Sequence, residues 1–254
     1  MTIIAISNQK GGVGKTTIAF NVAKGLAANG KRVLAIDNDP QGNLTSAFLA
    51  DPKALKADVI SYYKPSLANA VPEVLCENLA LLGANQNLAT VTDLQIDDVL
   101  FGLREGLETV AENFDYLLID CLPSFGLLQL AALTAADRVL IPVTPSNFSV
   151  QGLTTLFDTI TRVQKRFNPD LSTLGIVLNR VDGRRTTIGE GLVELLRSTY
   201  GDLVFESMIN QSVRLEESYS FNQSILEYEP NGKVASQVRD LIEEFVRRHD
   251  QQER

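Results

Sequence analysis

The sequence predicts an α/β protein, a doubly wound and mostly parallel sheet flanked by helices. Three observations predict it. Short apolar runs of strand length alternate with longer stretches of helical periodicity. Several runs end in a polar residue, at Asp37, Asp120 and Asn179, where open α/β sheets place their ligands. The first run leads through a glycine-rich loop straight into a helical stretch. No repeat, low-complexity segment or linker interrupts the pattern, so one domain over residues 1–254 is expected.

Residues 2–7 form the first strand. Lys10-Gly11-Gly12-Val13-Gly14-Lys15-Thr16-Thr17 follows, then a helix with Ile18, Val22 and Leu26 on one face. Strand, glycine loop and helix is the context that a phosphate-binding loop requires. The glycines let backbone N–H groups converge on phosphate oxygens, and the helix adds its positive end. Lys15 reaches the β- and γ-phosphates, and the Thr16 hydroxyl suits Mg²⁺. The pattern G-x-x-x-x-G-K-[ST] fits only with its first glycine relaxed, that place being held by Gln9 or Lys10. The result is a deviant loop with a second lysine, Lys10, near its start. A glycine-rich turn that binds nothing is the competing reading, and the match to phosphate-loop mechanics outweighs it.

Residues 33–37 read as a buried parallel strand ending in Asp37. Asp37-Asn38-Asp39-Pro40-Gln41-Gly42-Asn43 then sets two aspartates toward the loop. Carboxylates there suit Mg²⁺ and water handling, although Asp-Pro and Gln-Gly-Asn are also good turn formers. Residues 46–78 read as short helices broken by Pro65 and Pro72, and 78–83 as a strand. Residues 92–113 carry helical spacing. Residues 114–120 form the clearest central strand, with Asp120 at its end in a Walker-B-like pattern that holds the Mg²⁺ shell. A helix over 127–136, a strand over 138–143, a helix over 149–167 and a strand over 174–180 complete the alternation. The last helix repeats Val234, Val238, Leu241, Ile242, Phe245 and Val246 on one face. That face is expected to pack on the sheet, because the opposite one is mixed rather than lysine- and arginine-rich.

With 44% apolar and 21% charged residues, the chain reads as a soluble globular protein. No apolar run is long enough to span a bilayer, and no basic leader precedes the first strand. Cys76 and Cys121 lie far apart and outside any metal-ligand spacing. A cytoplasmic protein is expected. The net charge of −8 excludes a surface coated in basic residues but leaves room for a local basic patch.

Together, residues 10–17, 37–43 and Ile119-Asp120-Cys121-Leu122-Pro123-Ser124 resemble the ParA/Soj partition ATPases, in the ParA/MinD class with the deviant Walker A loop. The likeness extends nearly end to end, through Ile141-Pro142-Val143 and Val213-Arg214-Leu215-Glu216-Glu217, where the family usually reads V-R-L-S-E-A-P. It implies a P-loop ATPase that binds ATP and Mg²⁺ and closes as a face-to-face homodimer. In that scheme Lys10 of each copy reaches the other's phosphates, as an arginine finger does elsewhere. Asp39 handles the attacking water. Thr16 ligates Mg²⁺, with Asp37 and Asp120 acting through water. Gly11, Gly12, Val13, Gly14, Lys15, Thr16 and Thr17 cradle phosphates, and Asn179 meets adenine. The resemblance further implies non-specific DNA binding in the ATP state through Arg184 (or Arg185) and Arg214. A ParB-like or adaptor partner stimulates hydrolysis, so that a plasmid, chromosome or protein compartment is positioned on the nucleoid of a bacterium or archaeon. The chain departs from the family at Leu122, where a proline is usual, at Phe125, where leucine is common, and at Ile209-Asn210-Gln211, where I-P-R is frequent.

Two other classes compete. A MinD-like regulator of the division site would need a basic amphipathic C-terminus, and residues 249–254 do not supply one, so no stable membrane contact is expected. A cluster-assembly or electron-transfer ATPase would need paired cluster cysteines, which Cys76 and Cys121 do not offer.

Overall fold

The computed structural model describes residues 1–64, 70–146, 149–182 and 187–252. In chain order the main elements are β1 (Thr2–Ile6), α1 (Lys15–Ala28), β2 (Val33–Asn38), α2 (Asn43–Phe48), β3 (Glu73–Cys76), β4 (Leu79–Leu82), α3 (Ile96–Glu108), β5 (Tyr116–Cys121), α4 (Leu127–Ala135), β6 (Arg138–Val143), α5 (Ser149–Arg166), β7 (Ser172–Val181), α6 (Thr187–Tyr200), β8 (Val204–Asn210), α7 (Val213–Ser220), α8 (Ile225–Tyr228) and α9 (Lys233–Gln252). The strands form one eight-stranded sheet in the order β3-β4-β2-β5-β1-β6-β7-β8. Every pairing is parallel except β3 with β4. The doubly wound, mostly parallel sheet expected from the sequence is therefore present.

The alternation of side chains along each strand builds two cores. Ile3, Ala5, Leu34 and Ile36 face one way, into a core shared with α3, α4 and α5. Ile4, Ile6, Val33 and Ala35 face the other, against α1, α2 and α9. The apolar face of α9 is used here, with Val238, Leu241, Ile242 and Phe245 buried. Packing on the sheet thus wins over an interfacial role for this helix.

Two expectations need correction. The helix over 92–113 is shorter. A 3₁₀ turn covers Gln86–Asp93, α3 runs from Ile96 to Glu108, and a second 3₁₀ turn covers Ala111–Asn113. Extended backbone at Gln95 separates the first two, and Asp97 and Asp98 favour a fresh helix start there. The stretch read as short helices holds α2 and two 3₁₀ turns, but also the edge strand β3. Four residues with Val74 and Cys76 turned outward give too short an alternation to declare a strand.

The strand β8 closes the opposite edge. Glu244 of α9 is buried beside it and accepts from the backbone N–H groups of Glu206 (2.9 Å) and Ser207 (2.8 Å), from the Ser207 hydroxyl (2.8 Å) and from Arg248 Nε (2.8 Å). A carboxylate thereby covers donors that an edge strand would leave open.

Candidate functional site

The loop after β1 lies at the carboxyl ends of the central strands. In register, Asp37 of β2 stands beside Asp120 of β5, and Asp120 beside Ile6 of β1. Parallel pairing therefore brings both predicted carboxylates and the loop to one crevice.

Gly14 takes φ +88°, a left-handed conformation that favours glycine. A Cβ there would lie 2.1 Å from Asn179 Nδ2. That nitrogen donates to the carbonyl of Val13 at 2.8 Å, so β7 pins the loop directly. The other amide atom, Asn179 Oδ1, is buried without a hydrogen-bond partner among the described residues.

Lys15 is buried, and its Nζ donates to the Lys10 carbonyl at 3.3 Å. Burial lowers its pKa, while the neighbouring carboxyl groups of Asp120 and Asp39 pull it back up. Such an amine is held ready for an anion. Thr16 hydrogen-bonds the Asp120 carboxylate, whose pKa burial and the neighbouring Asp37 push well above the usual range. Asp120 Oδ1 is buried and has no hydrogen-bond partner among the described residues. An orphaned carboxylate oxygen beside a threonine hydroxyl suits a divalent cation. Among the described residues no cluster of three His, Cys, Asp or Glu side chains is placed to hold a metal alone. A cation at Asp120 therefore needs oxygens from phosphate and water, which is how Mg²⁺ sits beside a nucleotide.

Asp37 is placed differently. Its Oδ2 accepts from the Thr45 backbone and hydroxyl, both at 2.8 Å, and its Oδ1 from the Asp39 N–H at 3.2 Å. Burial pushes its pKa up to about 6 against these bonds. It thereby fixes the start of α2 and the turn that carries Asp39. That turn is closed by Gly42, at φ +65°, where a Cβ would lie 2.8 Å from the Ala84 carbonyl. Asp39 Oδ1 accepts from the Gln41 N–H at 2.9 Å.

Lys10 is exposed, and its Nζ donates to Ser146 Oγ at 3.0 Å. Its amine does not line the cavity beside the loop. That cavity, about 410 Å³, is bounded by Gly12, Gly14, Lys15, Thr16 and Thr17, by Asp39 and Asn43, and by Asn179 and Arg180. Its far wall is formed by Asn210, Gln211 and three residues of α7, namely Leu215, Glu216 and Tyr219. Gly12, Gly14, Lys15, Thr16, Thr17, Asp39 and Asn179 thus meet around one cavity, while Asp120 joins it only through its bond with Thr16.

The departure at Asn210 has a local partner. The Asn210 N–H donates to Gln237 Oε1 at 3.1 Å, and Gln237 Nε2 returns a bond to Asn210 Oδ1 at 3.2 Å. A proline would lack that N–H. Leu122 packs on the core, and Phe125 is exposed at 59%. Cys121 is buried, with its thiol pushed up to about 12 by burial and Asp120, whereas Cys76 is exposed on β3. The two cysteines lie on strands separated by β4 and β2 and make no pair.

Arg214 is exposed on α7 and ion-paired with Glu217 (2.9 Å) and Glu229 (3.8 Å). Arg184 and Arg185 lie outside the described residues. Arg180, Glu216 and Tyr219 line the cavity without belonging to any motif that marks a site. The only local signals were the placement of Arg180 next to Asn179 and of Glu216 and Tyr219 in the late V-R-L motif.

Comparison with known proteins agrees with this geometry. A family model described as an AAA domain matches residues 1–173. The chain is 38% identical over 254 residues to the sporulation initiation inhibitor protein Soj of Bacillus subtilis, covering 96% of this chain and 98% of Soj. It is 38% identical over 237 residues to the chromosome partitioning protein ParA of Caulobacter vibrioides, covering 90% and 88%. Among solved structures, cobyrinic acid a,c-diamide synthase from Mycobacterium smegmatis, with bound ATP analogue and magnesium, superposes with a TM-score of 0.73. That pair is 32% identical, over 92% of this chain and 98% of the other.

Proposed function

This chain belongs to the ParA/Soj family of partition ATPases, and from that we propose an ATP-driven dimerising switch that binds DNA non-specifically in its ATP state. ATP and Mg²⁺ are its ligands, as in the solved relative that holds an ATP analogue and magnesium. One observation carries the dimer. Lys10 keeps its amine out of its own cavity, on Ser146, while Lys15 occupies the loop. A lysine so placed is free to serve the phosphates of a second copy.

Each residue then has a task. Lys15 and the loop N–H groups hold the β- and γ-phosphates. Thr16 would ligate Mg²⁺, with the open oxygen of Asp120 reaching it through water, and the ion would supply charge neutralisation at those phosphates. Asp37 supports the cation through water while fixing the turn that carries Asp39. Asp39 orients the attacking water. Lys10 of the partner copy stabilises the charge that develops on the transferred group. Asn179 holds the loop and faces adenine.

Arg214, with Arg184 or Arg185, supplies the phosphate contacts to DNA. Its acidic partners Glu217 and Glu229 must yield to do so. A ParB-like or adaptor partner stimulates hydrolysis and releases the dimer, and the cycle moves a plasmid, a chromosome or a protein compartment in a bacterial cytoplasm. The buried apolar face of α9 weighs against a MinD-like membrane role, and among the described residues no helix is long and apolar enough to cross a membrane. Light scattering on the protein with ATP and Mg²⁺, and again with ADP, tests the switch. A dimer with ATP and a monomer with ADP is expected; one mass in both states contradicts the proposal.

A further inference from the structure

The cavity beside the loop has a charged feature that phosphate binding does not explain. Glu216 of α7 lines it, and a bare carboxylate would repel a triphosphate. Here the charge is matched. Arg180 NH2 donates to Glu216 Oε1 at 3.0 Å, and Arg180 NH1 donates to the Gly12 carbonyl at 3.4 Å. Arg180 is itself unusual. It takes φ +55°, a conformation that costs a non-glycine residue free energy and gathers at functional sites. The guanidinium thus ties the phosphate loop to α7. Glu216 Oε2 makes no hydrogen bond among the described residues.

A nucleotide carries two groups that want a carboxylate acceptor, the 2′- and 3′-hydroxyls of ribose. With the phosphates at Lys15, the sugar would occupy the rest of the same cavity, which Glu216 of α7 lines. We propose that Glu216 accepts hydrogen bonds from the ribose hydroxyls, that Arg180 holds it there, and that the pair makes the site select ribonucleotides over deoxyribonucleotides. This deepens the ATP-site reading and rests on it.

A site built to bond a hydroxyl rejects the analogue that lacks it. A bond to a charged acceptor is worth about tenfold in affinity or more. The test measures dissociation constants for ATP, 2′-deoxyATP and 3′-deoxyATP with Mg²⁺. It uses the wild type, Glu216→Ala, Glu216→Gln and Arg180→Ala, each checked for an unchanged melting temperature. The wild type is expected to prefer ATP about tenfold over at least one deoxy form. Glu216→Ala loses that preference by weakening on ATP alone, and Glu216→Gln keeps part of it. Arg180→Ala narrows the preference because Glu216 is no longer held. Equal binding of all three nucleotides by the wild type, or an undiminished preference in Glu216→Ala or Arg180→Ala, overturns the inference while leaving the ATP site intact. Failure of every nucleotide to bind the wild type overturns the ATP-site reading itself, and the inference with it.

Discussion

Asn179 Nδ2 donates to the Val13 carbonyl across 2.8 Å, and this bond sets the phosphate loop against the end of β7. The same nitrogen fills the space that a side chain on Gly14 would need. Two obstacles therefore stand against Gly14→Ala, the clash and the left-handed backbone at φ +88°. The substitution is expected to abolish ATP binding and to cost roughly 1–3 kcal/mol from backbone strain alone. Adding Asn179→Ala removes the clash but not the strain, so the double variant should remain defective in nucleotide titration. Recovery of wild-type affinity would show that the contact, not the conformation, is what matters.

Lys15→Gln removes the one buried amine in the loop. ATP binding should fall by at least a hundredfold in calorimetry, because a buried charged hydrogen bond to phosphate has no substitute there. The fold should survive, since among the described residues Lys15 Nζ donates to the Lys10 carbonyl alone. An unchanged affinity would assign the phosphates to another residue.

Lys10 and Asp39 should separate binding from turnover. Lys10→Ala is expected to bind ATP as a monomer with near-normal affinity and to lose dimer formation or hydrolysis. Asp39→Ala is expected to bind ATP and persist as a dimer, with phosphate release reduced at least a hundredfold. Phosphate-release assays run beside light scattering read both. A Lys10→Ala protein that dimerises and turns over normally would place the second cation elsewhere.

How much of this was legible depends on what holds each element. The strands β1, β2, β5, β6 and β7 are buried for most or all of their length, so continuous apolar runs announced them. The strand β8 reads Val-Phe-Glu-Ser-Met-Ile-Asn and gave no such signal. It tolerates Glu206 and Ser207 because Glu244, far along the chain, accepts from their N–H groups. The helix α7 buries little more than Leu215 and Ser218. Tertiary bonds hold it, from the Tyr219 hydroxyl to the Asn43 carbonyl and from Asn222 to the carbonyls of Ser46 and Ala47. No periodicity encodes such bonds. The loop, Asp120 and Asn179 were readable as motifs, whereas Arg180 and Glu216 meet only because the sheet brings them together.

The carboxylate of Glu244 makes a pH prediction. Burial pushes it up, but the N–H groups of Ser207 and Glu206, the Ser207 hydroxyl and Arg248 outweigh that and hold it below its ordinary value of 4.5. A depressed carboxyl stabilises the fold fully above that value and loses the effect as pH falls through its folded pKa. Glu244→Gln should therefore destabilise by about 1–3 kcal/mol at neutral pH. The gap from wild type should shrink as denaturation is repeated below pH 4.5. A gap constant across that range would remove the charge from the explanation.

Binding to random-sequence duplex DNA over a salt series, with ATP and Mg²⁺, with ADP, and without nucleotide, reads the DNA switch itself. Binding is expected with ATP alone, indifferent to sequence, with log affinity falling linearly against log salt and the slope reduced in Arg214→Ala. Equal binding in all three nucleotide states would contradict it by detaching DNA binding from the nucleotide, and binding in none would leave a nucleotide switch whose target is not DNA.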